Sequence, residues 1–219
     1  MRALLVQKDI NNKDYAGFLA DIKSDQTDLV VFGELATSGC MYTPREVPKL
    51  ENLIENFNGR PYAVMIGFPH LTSNWLYNSF LYYQDGKYQI YRKINLFPPM
   101  NEDKVFTPGN EPGIFETSFG KIGAAICYDL RFPEVFTNLK KLGAEMIFVP
   151  AAFPRVRISD WKNLLVQRAQ ENQTTLVGVN AVGDDGTNEF GGSTMVVDPS
   201  GKILYQADET TEQIIEVKL

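Results

Sequence analysis

The sequence predicts an α/β fold in which two mixed sheets pack face to face with helices on the outside. Three observations carry this expectation. Strand–helix–strand units recur along the 219 residues, which favours parallel pairing. Strands also come in tight hairpins, which one parallel sheet would seldom contain. No linker or low-complexity stretch interrupts the chain, so residues 1–219 read as a single domain. A chain of this length buries roughly 70% of the surface exposed when unfolded.

The elements follow in order. Residues 2–6 form a short apolar first strand. Residues 13–22 place Tyr15, Phe18, Leu19 and Ile22 at helical spacing. The run DLVVF, 28–32, is a buried strand leading straight into Gly33-Glu34. Residues 44–55 read as a helix opened by Pro44. AVMIGF, 63–68, is a strand. Strands 78–83 and 87–91 flank Gln84-Asp85-Gly86, where Asp-Gly signals a hairpin. Strand 121–126 ends at Cys127, helix 133–142 follows, and strand 145–149 ends at Pro150. Helix 159–171 has Ser159 as its expected N-cap. Strands at 175–179, 194–197, 202–205 and 213–217 complete the chain, with a turn at Asp198-Pro199-Ser200-Gly201. The segments SFLYYQDGKYQIY and TMVVDPSGKILYQ share one pattern, as a duplication or the common grammar of hairpins would produce.

Composition narrows the function. Hydrophobic residues make up 44% and charged residues 22%, as in ordinary globular proteins. The net charge of −6 offers no basic face for nucleic acid. No apolar run approaches the ~20 residues of a membrane span, and residues 1–15 lack the apolar core of a signal peptide. With only Cys40 and Cys127, no disulfide framework is indicated. A cytoplasmic protein with reduced thiols is expected.

Cys127 ends the run KIGAAIC and is followed by YDLRFPE. A cysteine where a strand turns presents its thiol, with the next backbone N–H, that of Tyr128, free to hold an oxyanion. A free thiol is more commonly a buried structural residue, but the charged YDLR is out of place in a core. The thiol needs a base, because the thiolate is the nucleophile. His70 is the one histidine, and a solvated loop position is its ordinary reading. A carboxylate with a cation is the other option: Glu34 follows a strongly apolar strand, and Lys93 follows KYQIYR. A surface carboxylate and a solvated lysine are their ordinary readings.

Together these segments resemble the nitrilase superfamily of carbon–nitrogen hydrolases. In that family a glutamate, a lysine and a cysteine occur in this order. Here the signatures read VVFGELATSG around Glu34, YRKINLF around Lys93 and AAICYDLRFPE around Cys127. GGSTMVVDPSGKIL resembles the closing hairpin and WKNLLVQRAQENQ the long late helix. The resemblance covers nearly the whole chain, and CYDLRFPE is closest to omega-amidase-like members. It implies an α-β-β-α sandwich, no metal, no organic cofactor and a homodimer. It also implies a second glutamate, here Glu102, that holds the lysine or orients the substrate. Departures are Asn95 where the family often has histidine, Cys40 followed by Tyr42 where an aromatic often follows the glycine, and an ending soon after strand 213–217, without the extension that can cross a dimer interface.

The chemistry so implied is attack by Cys127 on a small amide, with Glu34 as base and Lys93 and the Tyr128 N–H holding the oxyanion. A substrate with a distal carboxylate needs a cation. Arg155 and Arg157, in AAFPRVRISDW, are the candidates, with Phe153 and Tyr42 as apolar walls and Arg131 as a structural ion-pair former. The alternatives are a nitrilase, an N-carbamoyl amine hydrolase, or a catalytically silent binding protein on the same fold.

Overall fold

The computed structural model describes residues 1–22, 26–39 and 47–219. Its first sheet contains β1 (Arg2–Gln7), β2 (Leu29–Phe32), β3 (Ala63–Leu71), β4 (Leu76–Gln84), β5 (Lys87–Arg92) and β14 (Gln213–Lys218), in the order β14-β1-β2-β3-β4-β5. The second contains β6 (Gly113–Thr117), β7 (Gly120–Ala124), β8 (Met146–Pro150), β9 (Thr175–Val179), β12 (Met195–Val197) and β13 (Ile203–Gln206), in the order β13-β12-β9-β8-β7-β6. A separate hairpin joins β10 (Val182–Asp184) to β11 (Glu189–Gly191).

The two sheets share one topology. In each, three central strands run parallel, with antiparallel neighbours on both sides. The hairpin β4–β5 in the first sheet occupies the place of β12–β13 in the second. These hairpins carry the two similar segments, so their likeness extends to position in the fold, as a duplication produces.

Alternation sorts the side chains into layers. Leu5, Val31, Met65, Phe80, Phe115, Ile122, Phe148 and Val177 meet between the sheets, fully or almost fully buried. Helices α1 (Tyr15–Asp21) and α2 (Leu50–Glu55) cover the outer face of the first sheet, over Phe32, Val64 and Leu81. A four-residue helix α3 (Glu102–Val105) leads toward β6. Helices α4 (Pro133–Lys141) and α5 (Ile158–Asn172) cover the second sheet, with Trp161 and Leu165 of α5 lying on Gly178. The result is the expected α-β-β-α sandwich. No described helix is long and apolar enough to cross a membrane.

Several local expectations change. The helix read as 44–55 is observed only from Leu50, and Pro44 lies outside the described residues. Pro48 explains part of this, because it disfavours helical geometry at Val47. Strand 63–68 continues to Leu71, through Pro69. Gly67 N donates to Gly33 O on the β2 side; two residues on, β2 has ended, so the missing N–H of Pro69 costs no ladder bond. Ser159 is not the N-cap of α5: a 3-10 turn at Arg155–Arg157 runs into the helix and Arg157 takes that position. The sequence reading lacks β6, β10 and β11, which are short and glycine-bounded.

Candidate active site

The described chain brings Glu34, Lys93, Glu102 and Cys127 together where the parallel strands end. Glu34 sits just beyond β2, in a turn whose next residue, Leu35, has φ 47°. This turn lies directly on β3: a Cβ at Gly67 would stand 2.4 Å from Gly33 O and 2.7 Å from Glu34 Cα. Lys93 follows β5, its N–H donating to Asn78 O and its carbonyl accepting from Gly109 N, both at 2.8 Å. A Cβ at Gly109 would meet Arg92 O at 2.3 Å, so glycine permits this closure as well.

Cys127 opens a 3-10 turn, Cys127–Arg131, with φ 45°. A left-handed backbone at a non-glycine residue costs roughly 1–2 kcal/mol, and the surroundings hold it in place. Asp129 is the anchor. Its carboxylate accepts from Ile126 N at 2.9 Å, from Asn95 N and Nδ2 at 2.9 Å each, and from the Tyr91 hydroxyl at 2.7 Å. The cysteine turn of the second sheet is thereby tied to the end of β5 in the first. Among the described residues no acceptor is bound by the Tyr128 N–H.

The polar cluster is almost sealed. Glu34 is 3% exposed, Lys93 1% and Glu102 0%. Lys93 Nζ lies 2.8 Å from Glu34 Oε1, and 3.0 and 2.8 Å from Glu102 Oε1 and Oε2. Asn78 Nδ2 donates to Glu34 Oε1 and Glu102 Oε1, both at 2.7 Å. Ala152 N, beyond β8, donates to Glu34 Oε2 at 3.0 Å and also faces the Cys127 sulfur. Phe97 N donates to Glu102 Oε2 at 2.7 Å.

Charge in this enclosure decides the protonation states. Burial alone would depress Lys93, but Glu34 and Glu102 outweigh it and hold the amine well above its ordinary range. Burial, then the Glu34 charge, pushes the Cys127 thiol well above its ordinary value, against the opposing Lys93 ammonium. Burial raises Glu102 too, with Lys93 opposing. The resting site is therefore a neutral thiol beside an ammonium that two carboxylates share.

Cys127, only partly covered, opens onto a small pocket with Lys93, Phe97, Tyr128, Arg131, Phe153 and Arg157 in its wall. Phe153 thus stands where an apolar wall was expected, and Arg131 pairs with Asp160 at 2.7 Å. Arg157 has no carboxylate partner among the described residues and lies over the Phe97 ring, 5.5 Å from its centroid. Arg155 is directed elsewhere: its Nη2 donates to Glu209 O at 2.9 Å and its Nε lies 3.0 Å from Glu189. His70 packs at a tilt against Phe68, ring centroids 5.3 Å apart, and Phe68 belongs to the core between the first sheet and α2, so His70 makes no pair with Cys127. Tyr42 lies outside the described residues.

The sequence reading missed Asn78, Tyr91 and Asp129. Asn78 had a signal, as an amide opening an otherwise apolar strand. Asp129 lay within the most specific segment, CYDLRFPE, without a role.

A four-layer sandwich with a buried glutamate–lysine–glutamate cluster beside a strained cysteine defines the nitrilase class of protein. Residues 9–219 match the carbon–nitrogen hydrolase family, and the chain belongs to it. It is similar to a 2-oxoglutaramate amidase of Bacillus subtilis, 39% identical over 134 residues, or 60% of this chain and 51% of that protein. The chain thus spans about half the length of that relative. A probable nitrilase of Schizosaccharomyces pombe is 36% identical over 203 residues, covering 86% of this chain and 74% of that one. Among solved structures, a carbon–nitrogen hydrolase superfamily protein of Xanthomonas campestris superposes with a TM-score of 0.89 at 28% identity, covering 99% of this chain and 89% of that one.

Proposed function

We propose that the protein hydrolyses a small linear amide carrying a distal carboxylate, in the manner of an omega-amidase, through a thioester on Cys127 with release of ammonia. The observation that carries this reading is Cys127 between the buried Glu34–Lys93–Glu102 cluster and a small pocket walled by Arg157. The similarity to a 2-oxoglutaramate amidase supports the substrate class.

The thiol is neutral at rest, so attack and deprotonation go together. Cys127 Sγ adds to the amide carbon while Glu34 accepts its proton. At rest Lys93 has three carboxylate oxygens for its three N–H groups. Protonation of Glu34 weakens one of these bonds and frees an N–H for the new oxyanion, beside the Tyr128 N–H. A donor of this kind is typically worth about 10²–10³ in turnover. Glu34 then gives its proton to the leaving nitrogen, ammonia departs, and a thioester remains. Glu34 next takes a proton from water, which attacks the thioester and releases the acid and the free thiol. Glu102 keeps Lys93 in place throughout. The scheme uses no metal and no organic cofactor. A homodimer in the cytoplasm completes the proposal; sedimentation of the purified protein tests the assembly.

Ammonia release from a panel of a dicarboxylate monoamide, a neutral short-chain amide, a carbamoyl amine and a nitrile tests the activity. The monoamide should turn over best, and Cys127→Ala should abolish all turnover in a folded protein. Loss of a charge-assisted hydrogen bond typically costs ~1.5–3 kcal/mol, a factor of roughly ten to over a hundred. Arg157→Ala should weaken use of the monoamide by about that factor and barely affect the neutral amide. Equal losses on both would mean that Arg157 supports the loop and does not read the carboxylate. Preferred turnover of the nitrile or carbamoyl amine would replace the amidase reading, and no turnover of any member would favour a silent binding protein.

A further inference from the structure

We infer that Asn78 is a positioning residue of the hydrolytic centre, its side-chain amide holding Glu34 and Glu102 in register while Lys93 turns to the oxyanion. The inference rests on the proposed amide hydrolysis and adds a part that the Glu–Lys–Glu–Cys cluster does not contain. Asn78 is 1% exposed and does not line the pocket, so it acts through the carboxylates and not on the substrate.

The geometry is specific to an amide. A side-chain NH₂ group has two hydrogens, and Asn78 Nδ2 has two acceptors, Glu34 Oε1 and Glu102 Oε1, each at 2.7 Å. Its Oδ1 is buried with no hydrogen-bond partner among the described residues. A flip would give that oxygen no donor and turn it against two carboxylate oxygens, so the orientation is fixed by charge. The fold tolerates an orphaned carbonyl oxygen, normally a costly feature, to aim this nitrogen at the pair.

Why a second donor is needed follows from the first. Lys93 contacts the same two oxygens, Glu34 Oε1 and Glu102 Oε1. When an oxyanion forms, the ammonium must give up part of that contact. At rest a second donor offsets the repulsion between the two carboxylates across one ammonium, and once Glu34 has taken the thiol proton and Lys93 turns to the oxyanion, it keeps both side chains in place. Asn78 is neutral, so it bridges them without adding a cation that would compete with Lys93. Its backbone carbonyl separately accepts from Lys93 N at 2.8 Å, a bond that side-chain replacement leaves in place.

The test compares Asn78→Leu, which removes both donors on the same branched skeleton, with Asn78→Ser, which can keep one. For Asn78→Leu, kcat on the best amide should fall by roughly ten- to a hundred-fold while KM stays within about two-fold. Loss of a donor disfavours the ionised form of a buried carboxylate pair, so the acid limb of the kcat profile should move up by about one pH unit. Asn78→Ser should fall between. A readout independent of turnover is the melting temperature across pH: the lost donors serve carboxylate oxygens, so the variant's deficit should be larger at pH 7 than at pH 4. A deficit equal at both pH values, with no movement of the acid limb, would overturn the inference and leave Asn78 a packing residue. If Asn78→Leu fails to fold, Asn78→Ser answers the same two questions. Absence of turnover in the unaltered protein would count against the proposed function, while the melting comparison would still decide on Asn78.

Discussion

At the scale of residues, the site combines a strained nucleophile with a crowded charge. Cys127 has φ 45°, and Asp129, two residues on, collects four hydrogen bonds with no ion-pair partner among the described residues. Glu102 shows what such crowding does to stability. Burial raises its folded-state pKa above its unfolded value. Between those two values the folded protein holds more protons than the unfolded one, so stability falls as pH rises through that window. The penalty is absent below the ordinary carboxylate pKa and complete above the raised one. Glu102→Gln, which removes this titrating group but also a partner of Lys93, should therefore compare better with the unaltered protein in Tm at pH 7 than at pH 4, while kcat falls. A scanning calorimetry series across pH checks the comparison. Glu34 was legible because it stands directly after an apolar strand, where a solvated ion has no obvious place, Lys93 and Cys127 because each follows a strand within a family signature, and Glu102 through the family resemblance alone. Asn78 and Asp129 were not, because the carboxylates that Asn78 binds lie 24 and 44 residues away and the Tyr91 and Asn95 partners of Asp129 lie 38 and 34 away.

At the scale of elements, glycine decides how closely strands can carry the reacting groups. Gly67 lets the Glu34 turn rest on β3 with backbone atoms where a Cβ would be. Gly67→Ala should lower kcat far more than its stability cost implies, because the turn must move and Glu34 moves with it. Paired measurements of kcat and Tm check this: a fall in Tm with kcat preserved would mean that the turn relaxes without displacing the carboxylate. The longer elements were readable, α5 from its periodicity and β4–β5 from Asp85-Gly86, whose φ values of 49° and 77° suit a tight hairpin. Strand β6 was not: GIFET is too short to establish a period, and its pairing partner β7 decides its conformation. Likewise β10 and β11, of three residues each, are set by their pairing with each other and by single bridges to Asp9 and Pro154.

At the scale of the whole molecule, the two sheets divide the site between them. Glu34, Asn78 and Lys93 belong to the first sheet and its ends, Cys127, Tyr128 and Ala152 to the second. Among the described residues, polar links at the site cross the gap from Ala152 N to Glu34 and from Asn95 and the Tyr91 hydroxyl to Asp129. The rest of the separation is set by the core, where Phe115 of the second sheet meets Phe80 and Tyr82 of the first, ring centroids 6.4 and 6.0 Å apart. Phe115→Leu should reduce Tm, at roughly 2–4 °C per kcal/mol for a chain of this size. It should also slow the chemical step, although no atom of the site is altered. Single-turnover kinetics would measure that slowing, and an unchanged rate with a reduced Tm would confine Phe115 to stability. A nucleophile and its base mounted on opposite slabs form a caliper whose jaws are set by the packing between them. Hydrostatic pressure closes such an instrument without chemistry, so the activation volume of acylation becomes a gauge of how far the two sheets must approach before sulfur reaches carbon.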